Sequence, residues 1–312
     1  MKRSRRVVTV LAACVGVVLV AGVAAAARLP QPGSPGQVAA LVASSHTIEQ
    51  LPSDLVPSLS QVQNDNTAAY FYKTKEGCAG TTACAYGYRA ARTSIVLFGD
   101  SHAAMWLPAL DWVGRHLGDR VVLLWRPGCP AADVHVWNPS SHSLDAACDA
   151  YRKSSLAAIE KLSPALVLTS NRTTNVRGAN GKLIPSAEWQ SGLESTIASL
   201  LAHKLHVAVI GDVSALSSQM PQCLAAYPKH VQRCSSPDPN RAMHTHLAAE
   251  EAAARAESVP YLNPQPWLCT KVCSPVIGKY AAYSDWQHVT ATYAAYLSLD
   301  WEGAIKPLLA RG

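Results

Sequence analysis

From residue 93 onward, short apolar runs alternate with longer stretches of helical spacing. Ser94-Ile-Val-Leu-Phe98 is rich in β-formers and stops at Gly99. Val121–Trp125, Ala165–Thr169 and His206–Ile210 repeat that pattern, and Val259–Leu262 is a weaker fifth run. Between them, residues near 103–117, 145–162, 186–203 and 240–257 place apolar side chains at helical period, and a last such stretch covers about 290–303. Strand-length apolar runs separated by helices predict a parallel sheet covered on both faces, an α/β fold. Ligands of such sheets bind beyond the carboxyl ends of the strands. The segments to inspect are therefore Gly99–His102, Arg126–Cys129, Ser170–Arg172 and Gly211–Asp212.

The first 90 residues read differently. Val7 to Ala27 is free of charge, and Lys2, Arg3, Arg5 and Arg6 precede it. Its 21 residues would span about 31 Å as a helix, close to the hydrocarbon thickness of a bilayer. The flanking charge predicts a cytoplasmic N-terminus with the rest of the chain outside. Residues 1–27 are thus a membrane anchor, or a signal peptide with Ala25 and Ala27 near the cleavage site. A linker rich in Pro, Gly and Gln occupies 28–37. An arm follows to about residue 90, with a helical pattern near Val38–Ile48 and then a Pro-punctuated stretch.

Composition narrows the class. Of the 312 residues 49% are hydrophobic and 15% charged, which excludes a disordered chain and a coiled coil. Only one apolar run is long enough to cross a bilayer, which excludes a multi-span protein. The net charge is +6, but four of those positives precede the apolar run, and removing them leaves +2. No electrostatic case for nucleic acid remains. Leaving out Cys14, eight cysteines fall as near neighbours: Cys78 and Cys84, Cys129 and Cys148, Cys223 and Cys234, Cys269 and Cys273. Eight cysteines allow 105 connectivities. Local pairing is the simplest of them for a chain in an oxidising compartment. No Cys-x-x-Cys and no zinc-type His spacing occurs, so no metal or other cofactor is expected.

The sharpest chemical signal is Phe98-Gly-Asp-Ser-His-Ala103, where the first strand meets the first helix. Ser101 there sits on a strand-to-helix turn, with backbone N–H groups placed to stabilise an oxyanion. A serine hydroxyl needs a base to become a nucleophile, and the base needs an orienting acid. Tyr283-Ser-Asp-Trp-Gln-His-Val-Thr290 supplies both, with Asp285 and His288 one turn apart. A lone Gly-Asp-Ser would read as a cap or turn. Placed together at the first strand end and before the last helix, the two segments predict a Ser101–His288–Asp285 site. His102 and Trp286 flank it and are candidates for substrate contact; for His102 a structural hydrogen bond to a neighbouring loop is the competing reading.

Gly-Asp-Ser-His with a C-terminal Asp-x-x-His resembles the SGNH (GDSL-type) hydrolases. The chain is most similar to the SGNH domain of bacterial acyltransferase family 3 proteins, through Leu97–Leu110, Cys129-Pro130, the later cysteine pairs and Asp285–His288. Arm residues Val56–Leu59, Asp65 and Cys84–Gly87 resemble the segment preceding that domain. The resemblance implies a three-layer flavodoxin-like fold, with residues 91–312 as the catalytic domain. It implies Ser101 as nucleophile, His288 as base and Asp285 as its partner. It also implies an oxyanion hole built from the Ser101 N–H, Gly128 and Asn171. Where the family carries Gly-x-Asn-Asp in its third block, this chain reads Thr169-Ser-Asn-Arg172.

The function expected is an extracytoplasmic O-acyltransferase or O-acyl esterase acting on cell-envelope carbohydrate through an acyl-enzyme. Expected partners are an acylated carbohydrate substrate, a separate multi-span membrane acyl donor, and the membrane itself through the N-terminal helix. The alternative is a non-catalytic carbohydrate-binding or scaffold subunit that partners a membrane acyltransferase.

Overall fold

The computed structural model describes residues 29–67, 84–237 and 244–309. The anchor or signal segment expected at 1–27 lies outside these residues, as does Cys78 with its expected pairing to Cys84. Helix α1 (Pro35–Ser44) opens the described chain. Ser34 Oγ accepts from Gln37 N while Gln37 Oε1 accepts from Ser34 N, a reciprocal N-terminal cap. Strand β1 (Cys84–Gly87) is followed by β2 (Ser94–Gly99), α2 (Ser101–Ala104) and α3 (Leu107–Leu117). Then come β3 (Arg120–Trp125), α4 (Ala146–Leu162), β4 (Leu166–Ser170), α5 (Ser186–Ala202), β5 (Val207–Ile210) and α6 (Met220–Ala226). Helix α7 (His244–Ala256), β6 (Tyr261–Leu262), α8 (Ala291–Tyr296) and α9 (Ser298–Leu309) complete the main elements.

The six strands form one sheet in the order β1-β3-β2-β4-β5-β6. All neighbours pair in parallel except β1, which runs antiparallel along the edge of β3. Without β1 the order is that of a flavodoxin-like sheet, and its reversal point lies at β2. Strands β2, β4 and β5 bury both faces throughout, and β3 does so except at its two ends, which is why these four read as continuous apolar runs. Ile95 and Leu97 of β2 enter the core shared with α1, α3, α8 and α9, while Val96 and Phe98 enter the core under α4, α5 and α7. This is a three-layer α/β fold.

Residues 84–87 and α1, which the sequence reading places in the arm, are packed into this body. Val38 and Val42 of α1 are core residues. Val56 N donates to Lys279 O, and Ala281 N donates to Val56 O. Thr67 Oγ1 donates to Ala104 O at 2.6 Å. An Asp65 carboxylate oxygen accepts from Thr292 N at 3.0 Å in the first turn of α8. The arm therefore ties the end of α2 to the start of α8. Disulfides join Cys129 to Cys148, Cys223 to Cys234 and Cys269 to Cys273, all local pairs. Among the described residues no helix is long and apolar enough to cross a membrane.

Gly99 marks the tightest approach in the sheet. Its φ is 156°, and a Cβ built there would lie 1.9 Å from the carbonyl oxygen of Ser170 on β4. Gly99→Ala is expected to cost at least about 2 kcal/mol, read as a lowered urea midpoint; an unchanged midpoint would contradict this close approach. Replacing Cys129 and Cys148 together by serine should cost about 3 kcal/mol in the same assay, because the loop they close spans 19 residues.

Candidate active site

The site is built where β2 ends, between its two neighbours. Gly99 stands level with Trp125 of β3 and Ser170 of β4. The next residue, Asp100, is buried and caps α2. Its Oδ1 accepts from His102 N at 2.8 Å, and both its oxygens accept from Arg172 N, at 3.1 and 2.9 Å. One carboxylate thus ties the loop after β4 to the turn that carries Ser101. The Ser101 N–H is the first of α2, ahead of any intrahelical acceptor.

The partner segment is a tight loop just ahead of α8. Tyr283 bridges Val289, and Ser284 N donates to His288 O at 2.8 Å. Inside it, Asp285 Oδ1 accepts from Gln287 N at 2.7 Å and from His288 N at 2.8 Å. Its Oδ2 lies 2.7 Å from His288 Nδ1. With Nδ1–H donating to Asp285, Nε2 is left as an acceptor, and Ser101 Oγ stands 2.9 Å away to donate to it. The loop is steadied from outside, since Leu216 N donates to Trp286 O at 2.7 Å. It is steadied at its end by Thr290, whose hydroxyl caps α8 through Tyr293 N and donates to Ala281 O. The side chains of His288 and Asp285 remain 23% and 32% exposed, so a substrate can reach them.

Burial pushes the Asp285 carboxyl up, but the His288 hydrogen bond and charge and the Gln287 and His288 N–H groups outweigh that, so it titrates below the usual carboxylate range. It stays ionised through neutral pH. A group held as an anion beside Nδ1 fixes the imidazole tautomer and stabilises the imidazolium formed when Nε2 takes a proton.

The other expected site residues lie around this line. Gly128 sits in the exposed turn after β3 at φ 66°, and Cys129 N donates to Arg126 O across that turn. Pro127 followed by a positive-φ glycine suits such a turn. The Cys129–Cys148 disulfide holds it, and buried Arg152 of α4 donates to the carbonyls of Pro130, Ala132 and Val134 just beyond. Asn171 stands across β2 from it, one residue past β4. Its side chain is fully buried, and Oδ1 accepts from Ala131 N at 2.7 Å. Its amide group faces Glu250 but makes no hydrogen bond of good geometry. Trp286 is partly exposed on the loop between Asp285 and His288.

His102 does not face the cleft. It is fully buried, and its Nδ1 meets Asp212 Oδ1 at 2.5 Å, so protein rather than substrate surrounds it. Three residues of this environment were given no role from the sequence: Asp212, Thr173 and Glu250. Thr173 N and Oγ1 both donate to Asp212 Oδ2, at 2.8 and 2.9 Å. Glu250 Oε2 accepts from Asp212 N at 3.2 Å. Burial, with the Asp212 charge added, holds the Glu250 carboxyl well above the usual range. Gly211-Asp212 was visible as a strand-end segment. Glu250, one carboxylate in an alanine-rich helix, gave no signal. Among the described residues no group of three His, Cys, Asp or Glu is placed to hold a metal ion.

The family model for the SGNH domain (fused to AT3 domains) matches residues 55–302. Among solved structures, the periplasmic domain of a lipopolysaccharide acetyltransferase from Salmonella ser. Paratyphi A is similar. It is 16% identical with a TM-score of 0.56, over 68% of this chain and 83% of that one. A GDSL-like lipase from Bacteroides thetaiotaomicron is 15% identical with a TM-score of 0.44, over 81% of this chain and 98% of that one. No curated protein matches the chain.

The low Asp285 titration has a thermodynamic consequence. A carboxyl depressed in the fold contributes stability above its unfolded value near 3.8, and that contribution is lost as pH falls through the folded value. Between about pH 5 and about pH 3, the native protein should therefore lose more stability than Asp285→Asn. Equal losses in thermal melts across that window would contradict the hydrogen-bond set assigned to Asp285.

Proposed function

The chain belongs to the SGNH domain family, as an acyltransferase or carboxylic ester hydrolase, and we propose that it moves O-acyl groups on cell-envelope carbohydrate outside the cytoplasm through a Ser101 acyl-enzyme. The observation that carries this reading is the continuous line from Ser101 Oγ through the His288 ring to Asp285. His288 Nε2 takes the hydroxyl proton as Oγ attacks the ester carbonyl carbon. The charge that develops on the carbonyl oxygen is met by the Ser101 N–H, with the Gly128 N–H as a further donor; the Asn171 amide, buried and facing Glu250, would have to turn to join them. The tetrahedral adduct collapses and the leaving group of the acyl donor departs, taking the proton from His288. A second hydroxyl then attacks the acyl-enzyme, with His288 again removing its proton and returning it to Ser101 Oγ as the acyl–serine bond breaks. If that hydroxyl belongs to a sugar the outcome is transfer; if it belongs to water, hydrolysis.

Export is supported by the three disulfides, which persist in oxidising compartments. It is also supported by the charge pattern around residues 7–27 and by the periplasmic setting of the similar Salmonella domain. An acyl donor carried by a separate multi-span membrane protein, and a carbohydrate acceptor with Trp286 at its edge, complete the proposal.

The full-length protein is expected to hydrolyse a short-chain aryl ester, and Ser101→Ala should lower kcat by at least about a thousandfold without changing the thermal midpoint much. Turnover that survives Ser101→Ala would remove Ser101 from the mechanism, and no turnover by the native protein would leave a binding or scaffold role as the reading of the fold.

A further inference from the structure

Arg172 stands beside the nucleophile, and nothing in the reaction described above uses its charge. Strands β2 and β4 pair Gly99 with Ser170, and Ser101 and Arg172 each lie two residues beyond that pair. The buried Asp100 carboxylate holds the two together. It caps α2 through His102 N and accepts from Arg172 N at 3.1 and 2.9 Å. The Arg172 charge acts on the His102 imidazole, and that ring meets the His288 ring with centroids 4.9 Å apart. The side chain is half-buried, and its Nε is shielded from solvent with no acceptor. Among the described residues no carboxylate pairs with it. The carboxylates at this end of the sheet are occupied: Asp100 by N–H groups, Asp212 by His102 and Thr173, Asp285 by His288. Arg126, which ends β3 on the other side of β2, differs in having Asp145 Oδ2 at 3.4 Å from Nη2. Arg120 shares the unpaired Nε but opens β3, at the opposite end of the sheet. A half-buried guanidinium without a partner costs stability, which is tolerated where a ligand completes it.

We propose that Arg172 recognises an anion on the substrate, so that the sugar on which the site acts carries a carboxylate or a phosphate near the acylated hydroxyl. This rests on the proposed function given above and narrows its substrate class. A guanidinium offers parallel N–H donors that match the oxygens of either anion. A neutral sugar leaves Arg172 as it is and gains nothing from it. The Asp285 carboxylate sits on the Nδ1 edge of His288, away from Ser101, and repels an anion from that edge. A charged sugar therefore enters in one orientation, with its anion toward the end of β4. Arg172 touches the substrate away from the reacting atoms and moves no proton. Its contact exists before and during acyl transfer, so it acts on KM more than on kcat.

The test compares acetyl esters built on one ring: an O-acetylated methyl glucoside, the matching glucuronoside and the matching glucoside 6-phosphate, each hydrolysed by the full-length protein. At least one anionic ester should exceed the neutral one in kcat/KM by about tenfold or more, chiefly through KM, and the better of the two tells carboxylate from phosphate. In Arg172→Gln that ratio should fall to within about twofold of unity, and Arg172→Lys, which keeps the charge but loses the fork, should give a ratio in between. A merely structural role would change all the rates together and leave the ratio where it was. No preference in the native protein, or a preference that survives Arg172→Gln, overturns the proposal. Should Arg172→Gln fail to fold, or no ester be turned over, phenylglyoxal modification of the native protein, mapped by mass spectrometry, decides. Glucuronic acid or glucose 6-phosphate should slow labelling of Arg172 by about threefold or more relative to glucose; equal labelling overturns the proposal. The two readings fail separately. Absence of any Ser101-dependent hydrolysis defeats the proposed function, while hydrolysis without an anion preference defeats only the role of Arg172.

Discussion

The hydrogen bond from Ser101 Oγ to His288 Nε2 joins residues 187 positions apart and fixes their separation at 2.9 Å. Such a bond has a net worth of about 1 kcal/mol, far too little to gather the chain around it. Its geometry has to be imposed by elements that would be stable without it. On one side that element is the sheet, which ends β2 level with its neighbours and hands Asp100 and Ser101 to a one-turn helix. On the other it is the Asp285 loop, closed by its own carboxylate and anchored to α8. The arm connects the two, with Thr67 bonded to α2 and Asp65 to α8. Few residues separate those two contacts, so the relative placement of nucleophile and base depends on a segment that carries no chemistry itself.

Burial of polar groups follows the same logic. Asp100, His102, Asn171, Thr173, Asp212 and Glu250 are all buried at the carboxyl end of the sheet. Unpaired, each would cost on the order of 1–3 kcal/mol. Most are paired with one another or with strand-end N–H groups, so the loops after β2, β4 and β5 are locked together by side chains rather than by apolar packing. A core that could have been apolar is polar where it abuts the candidate site. Preorganised polar groups of this kind need no rearrangement when charge develops in a reaction.

Much of this was readable from the chain. The strands are continuous runs of Val, Ile and Leu because both faces of the sheet are covered, so their positions came out within a residue or two. Ser101 and the Asp285–His288 pair were recognisable because each occupies a short motif at a structurally marked place. Strand β1 was missed, because Cys84-Ala-Tyr-Gly87 has neither an apolar run nor alternation, and its pairing with β3 is a tertiary event. For His102 the sequence offered a substrate contact and, against it, a structural hydrogen bond to a neighbouring loop, and the second is what the structure holds. Its partner Asp212 lies 110 residues away, and only the fold shows that the ring turns inward. Asn171 sits where the family pattern puts it, but the direction of its amide depends on Ala131 and Glu250, which no local pattern reveals.

The central claim is that the Ser101 hydroxyl, through its bond to His288, is a nucleophile, and it can be tested without knowing the acyl group or the acceptor. Full-length protein treated with a serine-directed fluorophosphonate, digested and analysed by mass spectrometry should carry one adduct, on the peptide containing Ser101, and His288→Ala should lose it. No adduct on the native protein, or one on another serine, would contradict the account.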